Sequence, residues 1–159
     1  MFSILLIAPR SPDEKPFYFG SSDLFCTTTG VDISIPGLRR KRSAPARDVM
    51  ELVHSWIYYD GLYFEFGVDP EYGFKMPFSS SSKVAMFTGL PYLGYKCPWR
   101  REPFPAGYSS LPVGCLQRCA SRYEVFLGRY STLFNNCHHF SNLISDILCS
   151  NQCPSWCDM

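Results

Sequence analysis

The chain has 159 residues, of which 46% are hydrophobic and 18% are charged. This length is typical of one domain, and the composition supplies enough apolar surface for a core and too little charge for a disordered chain. The formal net charge is +1, so bulk charge does not indicate a polyanion binder, and we predict no nucleic-acid partner. The longest apolar run, Ile4–Ala8, is far shorter than the ~18–20 residues of a membrane span, so we predict no such span.

The N-terminal residues 1–8 are predicted to form a short buried strand rather than a secretory signal. No basic residue precedes the apolar run, and Pro9 and Arg10 end it before it reaches the length of about 7–15 residues of a signal h-region. Without a secretory signal, the eight cysteines are expected to be thiols in a reducing compartment. We therefore expect the cytoplasm. The basic cluster Arg39-Arg40-Lys41-Arg42 indicates a solvated loop or, alternatively, a patch for nuclear import or an acidic partner.

Two long segments, 11–47 and 70–108, are rich in Pro, Gly and Ser and are predicted to be irregular loops of a single domain over residues 1–159. Short strands are predicted inside them at Val31–Ile35 and Val84–Phe87.

The clearest β signal is a hairpin between these two loops. Runs of aromatic and β-branched residues flank Asp60-Gly61, a dipeptide that tolerates the positive φ angles of a type I′ turn. Alternation with a period of two places His54, Trp56 and Tyr58 on one face of the first strand. His54 is therefore expected at the beginning of a rigid strand.

Two helices are predicted in the C-terminal part of the chain. The first has Ser110 as its cap and Pro112 in its first turn, and it ends at Gly128. The second starts at Asn135 or Asn136 and runs to about Cys149, with the apolar spacing of an amphipathic helix at Phe140, Leu143, Ile144, Ile147 and Leu148.

Extending this apolar stripe backward places Cys137 in the first helical turn, on the face that packs against the domain. The unpaired N–H groups and the helix dipole at this position favour a thiolate, and the same N–H groups can stabilise an oxyanion. Of the three histidines, His138 and His139 follow Cys137 directly and diverge from it by about 100° per residue. His54 is therefore the candidate general base for a Cys137 nucleophile.

These residue types alone leave other interpretations open. A cysteine on an apolar helix face is often a small buried hydrophobe, and a strand histidine is often structural. Metal sites can also be considered for Cys137-His138-His139 and for the three cysteines that follow, but their spacing matches no paired zinc motif, and no metal is predicted. Those three residues, expected to be free thiols, are Cys149, Cys153 and Cys157.

The residues around both candidates resemble one family. The stretch Tyr130–Cys149, centred on Asn136-Cys137-His138-His139-Phe140-Ser141, resembles the Cys box of PPPDE proteins of the deSUMOylating-isopeptidase (DeSI) type. Pro154-Ser155-Trp156 resembles the short tail of that family, and His54-Ser55-Trp56-Ile57 with its hairpin resembles the His box. The resemblance covers the hairpin and residues 112–156. The family usually has Asn after the nucleophile, where this chain has His138.

This resemblance implies the α+β class and a circularly permuted papain-like fold, with a small antiparallel sheet packed on helices. It implies a thiol hydrolase with Cys137 as nucleophile and His54 as base and then acid, and it requires no cofactor and no metal. The implied substrates are ubiquitin-like protein conjugates (SUMO or ubiquitin), cleaved at isopeptide bonds, or S-acylated proteins, cleaved at thioesters.

Two alternatives remain open at this point. One is a catalytically idle domain that binds a ubiquitin-like partner. The other is a phospholipid acyltransferase similar to lecithin:retinol acyltransferase (LRAT). That group usually carries a second histidine on the return strand of the hairpin, where this chain has Tyr63-Phe64-Glu65-Phe66, which favours the PPPDE interpretation.

Overall fold

The structure, a computed structural model, describes residues 11–22, 45–49, 53–68, 83–88, 99–131 and 133–159. In chain order, the elements of these ranges are β1 Lys15–Ser22, β2 His54–Tyr59, β3 Leu62–Val68, β4 Lys83–Thr88, β5 Trp99–Arg101, β6 Gly107–Ser109, α1 Val113–Leu127, α2 Cys137–Ser150 and the 3₁₀ helix η1 Ser155–Cys157. The chain is thus α+β, as predicted. None of the helices in these ranges is long and apolar enough to cross a bilayer.

The strands form one antiparallel sheet in the order β4-β3-β2-β1-β5, with β6 also paired to β1. The hairpin of β2 and β3 confirms the sequence prediction. Asp60 and Gly61 form its turn with φ angles of 48° and 85°, the positive values that a type I′ turn requires. This short turn sets the register that pairs Trp56 with Glu65 across the hairpin.

The structure corrects the two predicted loops. β1 lies within 11–47, where Phe17 and Phe19 enter the core while the backbone pairs with β2. β5 lies within 70–108 and β6 begins at its end, and each pairs with β1, so these short strands depend on a partner more than on their own propensity. β4 confirms the strand predicted at Val84–Phe87. The remaining predictions for these regions lie outside the described residues: the strands at 1–8 and Val31–Ile35 and the basic cluster at 39–42.

Both helices contact the sheet, α2 on β2 and β3 and α1 on β4, and α1 also contacts η1. The core between them includes Phe17, Phe19, Ile57, Phe64, Phe66, Leu116, Phe140, Ile144 and Leu148. α1 ends at Gly128 as predicted, but its N-cap residue is Pro112 rather than Ser110. The backbone N–H of Ser110 donates instead to Asn151 Oδ1 at 2.8 Å, which draws Ser110 toward the end of α2.

The face of the β2–β3 hairpin that does not take part in this core carries an aromatic cluster. Trp56 pairs with Gly20 across β1 and β2 and packs edge-to-face on Tyr63, with ring centroids 5.0 Å apart. A Cβ atom at Gly20 would lie 2.1 Å from the Trp56 ring, so the close approach requires glycine. The packing buries Trp56 completely and fixes β2 two residues from His54.

Two disulfides attach the C-terminal tail to α1: Cys115–Cys153 and Cys119–Cys157. The expectation that these cysteines are thiols is therefore wrong. The two cysteines of α1 are four residues apart, about one helical turn, and so are the two cysteines of the tail. The equal spacing allows both disulfides to form side by side. The expectation depended on the predicted compartment, and a compartment carries no information on which cysteines lie close together. The two free cysteines of the described part of the chain both lie in α2: Cys137 and Cys149.

Candidate active site

The N-terminus of α2 is organised by a side-chain cap. Asn136 Oδ1 accepts hydrogen bonds from the backbone N–H groups of His138 and His139 at 2.9 and 3.2 Å. The cap confirms the second of the two predicted starting residues and makes Cys137 the first residue of α2. The cap therefore uses two of the backbone N–H groups that were expected to stabilise an oxyanion, and these two groups donate to Asn136 instead.

The packing of α2 on the sheet brings the Cys137 thiol to the start of β2. Its Sγ accepts a hydrogen bond from the backbone N–H of Ser55 at 3.4 Å and lies 3.8 Å from the carbonyl oxygen of Val53. These two residues flank His54 in the chain. The thiol is 4% exposed, so the site lies at the edge of the core rather than on the surface.

His54 is the first residue of β2 and is buried. Its Nε2 lies 3.0 Å from Oε1 of Glu65, and the Cys137 thiol is near enough to help raise the pKa of the ring. Because Nε2 faces Glu65, Nδ1 is the ring nitrogen that remains for the thiol. The structure thus brings together the two residues that the sequence singled out, His54 and Cys137.

Glu65 is a site residue that the sequence analysis missed. It lies fully buried in β3, opposite Trp56, and is therefore a diagonal neighbour of His54 on the same face of the hairpin. A signal was present in the sequence, since a single carboxylate interrupts an aromatic strand and the turn at Asp60-Gly61 defines the register. The Glu65 carboxylate orients the His54 ring and stabilises its protonated form.

The charged forms of His54 and Cys137 stabilise each other. Burial by itself lowers the pKa of His54, but the hydrogen bonds and charges of Cys137 and Glu65 outweigh it and raise this pKa to about 9. Burial likewise raises the pKa of Cys137, but the hydrogen bonds and charges of His138 and His54 outweigh it and lower this pKa to about 5. At neutral pH the site is therefore a thiolate–imidazolium pair, the reactive form of a cysteine nucleophile.

His138 also contributes to the lowered pKa of Cys137, so it influences the thiol although the sequence predicts that it points elsewhere. His139 instead completes the cap, with its Nδ1 2.8 Å from Asn136 Oδ1. Two imidazoles, rather than one, therefore favour the thiolate of Cys137.

A cleft of about 320 Å³ lies beside the start of β2, and its lining includes neither Cys137 nor His54. Its lining comes from the sheet, the chain before β2 and the segment after β5: Phe19, Gly20, Ser21, Arg47, Val53, Ser55, Arg100 and Glu102. Val53 and Ser55, whose backbone groups contact Cys137 Sγ, connect this cleft to the residues around the nucleophile. The guanidinium of Arg47 is paired with Glu102, with Nε and Oε1 2.6 Å apart.

The stretch 45–49, which precedes β2 in the chain, is held along α2 by side chains. The amide of Asn142 binds Arg47 twice, accepting from its backbone N–H at 2.7 Å and donating to its carbonyl oxygen at 2.8 Å. Two further side chains donate to carbonyl oxygens of this stretch: Ser145 to Pro45 at 2.6 Å and Asn136 to Val49 at 3.0 Å. The helix that carries the thiol therefore also holds the segment that lines the cleft.

Among the described residues, three metal-ligating side chains come within reach of one another only where the tail packs on α1, at Cys115, Cys119 and Cys153. The donor atoms around Cys137 are arranged as an acid–base pair with an orienting carboxylate, which is suited to proton transfer and nucleophilic attack. Comparison of the chain with protein-family models, with curated proteins and with solved structures gives no match.

Proposed function

We propose that this chain is a thiol hydrolase of the PPPDE type, with a circularly permuted papain-like fold, and that it cleaves isopeptide bonds to ubiquitin-like modifiers. The observation that carries the proposal is the buried pair of Cys137 and His54 with Glu65 on the other side of the ring. A merely structural buried cysteine has a raised pKa, because burial disfavours the thiolate. Here the surrounding donors reverse that effect, at the N-terminus of a helix and against a rigid hairpin.

The proposed reaction transfers an acyl group to water in two steps. The Cys137 thiolate attacks the carbonyl carbon of the isopeptide bond, and protonated His54 gives its proton to the departing lysine nitrogen, which leaves a thioester on Cys137. Neutral His54 then takes a proton from water as the water oxygen attacks the thioester. The carboxylic acid departs, and the thiolate and the imidazolium are restored. Glu65 keeps the ring oriented in both steps.

The chemistry of the cleft favours a peptide substrate over a long acyl chain. Its lining contains hydroxyl and charged side chains, among them Ser21, Arg100 and Glu102, and the only large apolar side chains in it are Phe19 and Val53. A fatty acyl group requires a predominantly apolar cavity, whereas an extended peptide needs polar partners for its backbone. A thioester of an S-acylated protein remains the second candidate substrate, because the same two steps hydrolyse it.

Active-site reagents of both substrate classes can test this proposal on the full chain. We expect a ubiquitin-like protein with a C-terminal electrophile to form a covalent adduct on Cys137, located by peptide mass spectrometry. A fluorogenic S-acyl thioester should be hydrolysed more slowly. The adduct should be lost in Cys137→Ala and strongly reduced in His54→Ala.

Cys149→Ala is the matched control, because Cys149 is the other free cysteine of the described chain and lies at the opposite end of α2. This variant should react like the wild type. If a small alkylating reagent modifies Cys137 but neither substrate-like reagent does, the chain is an idle binding domain and the hydrolase proposal is wrong. Faster reaction with the thioester would reverse the order of the two substrates.

A further inference from the structure

A second cluster of sulfurs lies where the tail packs on α1. The sulfurs of Cys115 and Cys119 are 3.9 Å apart, and Cys153 Sγ lies within 4.8 Å of both. Cys157 completes the group through its bond to Cys119. We propose that these four residues, once reduced, bind one Zn²⁺ ion as four thiolates and that the ion then attaches the tail to α1.

The arrangement of the ligands fits a structural zinc site. A tetrahedral zinc with Zn–S bonds of about 2.3 Å keeps its sulfurs about 3.8 Å apart. The two sulfurs of α1 already have that separation. The cysteines form two pairs with three residues between the partners, 115 with 119 and 153 with 157, within the spacing common to such sites. In the sequence, Cys153 and Cys157 follow Cys149 at equal spacing, which hides their match with the pair in α1.

The charges around the cluster favour thiolates over thiols. Arg118 lies beside it, with Nη2 3.9 Å from Cys153 Sγ. Its Nε binds Asp158 Oδ1 at 2.6 Å, which holds the guanidinium near the sulfurs. Cys115 lies in the first turn of α1, which contains no acidic residue, so the positive end of the helix dipole also stabilises its thiolate. A zinc ion with four thiolates carries a net negative charge, which Arg118 and the dipole offset.

The two forms of the cluster interconvert by ordinary thiol chemistry. A dithiol reductant delivers two electrons and two protons to each disulfide and is itself oxidised to a disulfide, which leaves four thiols on the protein. Zn²⁺ then displaces the thiol protons as the sulfurs become its ligands. Each form keeps η1 on α1. In a reducing compartment, the zinc form would supply the attachment that the disulfides supply in an oxidising one.

Metal binding by the reduced full-length chain tests the proposal directly. The protein is reduced with a phosphine under anaerobic conditions, titrated with Co²⁺ and then with Zn²⁺, desalted and analysed for metal. We expect one ion per chain, with the thiolate charge-transfer bands and visible bands of tetrahedral cobalt, which zinc abolishes. Failure to retain any metal would overturn the proposal.

Alkylation of the zinc-loaded wild type identifies the ligands without relying on a variant that folds. Peptide mapping should show zinc-dependent loss of alkylation at the four ligands only: Cys115, Cys119, Cys153 and Cys157. Cys149 should remain reactive and serves as the internal control. Protection of Cys137 in place of these four cysteines would place the metal at the active site and contradict the inference. Cys153→Ser should lose the cobalt bands, whereas Cys149→Ser should keep them.

Discussion

The ionisation of Cys137 can be measured directly, because the thiolate and not the thiol reacts with a thiosulfonate reagent. At pH 6, a thiol with a pKa of about 5 is about 90% ionised, whereas a thiol at its ordinary value of 9.0 is only about 0.1% ionised. Lower basicity reduces the nucleophilicity of the thiolate about 60-fold over this difference, for a Brønsted coefficient of about 0.45. The two factors together predict that, at pH 6, a thiol with the pKa of Cys137 reacts about 15-fold faster than a thiol at the ordinary value. Burial slows the reagent equally at every pH, so the midpoint of the profile is the decisive quantity.

The assay follows each cysteine separately by mass spectrometry as the pH is raised. The reaction of Cys137 should reach half of its maximal rate near pH 5 and then stay constant. Cys149 provides a control in the same molecule, because burial and the charge of Asp146 raise its pKa and its rate should still increase above pH 9. In His54→Asn, the midpoint for Cys137 should move up by about 1–3 pH units. Parallel profiles for the two cysteines of the wild type would refute the thiolate–imidazolium pair.

Three further results are expected. Glu65→Gln removes a buried charge from His54, so its pKa should fall by about 1–3 units in an NMR titration of the imidazole, and an unchanged value would exclude Glu65 from the site. Gly20→Ala places a Cβ 2.1 Å from the Trp56 ring, and urea unfolding should show a loss of about 1–3 kcal/mol or more. The third result is a pH-dependent difference in unfolding free energy between wild type and Cys137→Ser. The raised pKa of His54 stabilises the fold fully below pH 6.5, and this stabilisation is lost as the pH rises through about 9. The lowered pKa of Cys137 stabilises the fold fully above pH 9.0, and this stabilisation is lost as the pH falls through about 5. The two slopes cancel between 6.5 and 9, so wild type should lose about 2 kcal/mol relative to the variant only as the pH falls from about 6.5 to about 5, and a difference that is constant with pH would contradict the pair.

The positions of His54 at the start of β2 and of Cys137 at the start of α2 were predicted correctly, because they depend on local signals. The Asp60-Gly61 turn and the aromatic runs beside it defined the hairpin and the position of His54, and the helical period behind Asn136 defined the position of Cys137. Each of these patterns needs only residues that are close in the chain. The side-chain contact between His54 and Cys137 then followed from packing the helix on the hairpin.

The parts that were missed depend on partners that are distant in the chain or on a side-chain conformation. β1 contains Pro16 and Gly20, which disfavour a strand, and it forms because several other strands pair with it. The disulfides require the tail to return to α1, which no local pattern reveals. His138 was excluded on the average angle between successive helical residues, although it contributes to the lowered pKa of Cys137. Glu65 required the hairpin register to be followed beyond the turn.

The side chains that hold 45–49 along α2 have a consequence for the order in which the molecule is assembled. Their hydrogen bonds to Asn136, Asn142 and Ser145 join residues separated by 87, 95 and 100 positions. Contacts of such long range form late in folding, because a large loop must close first. The cleft beside the start of β2 is therefore completed only when the two halves of the chain have met. In the native protein, the Arg47 amide should exchange its hydrogen as slowly as a strand amide, although it lies in no strand or helix.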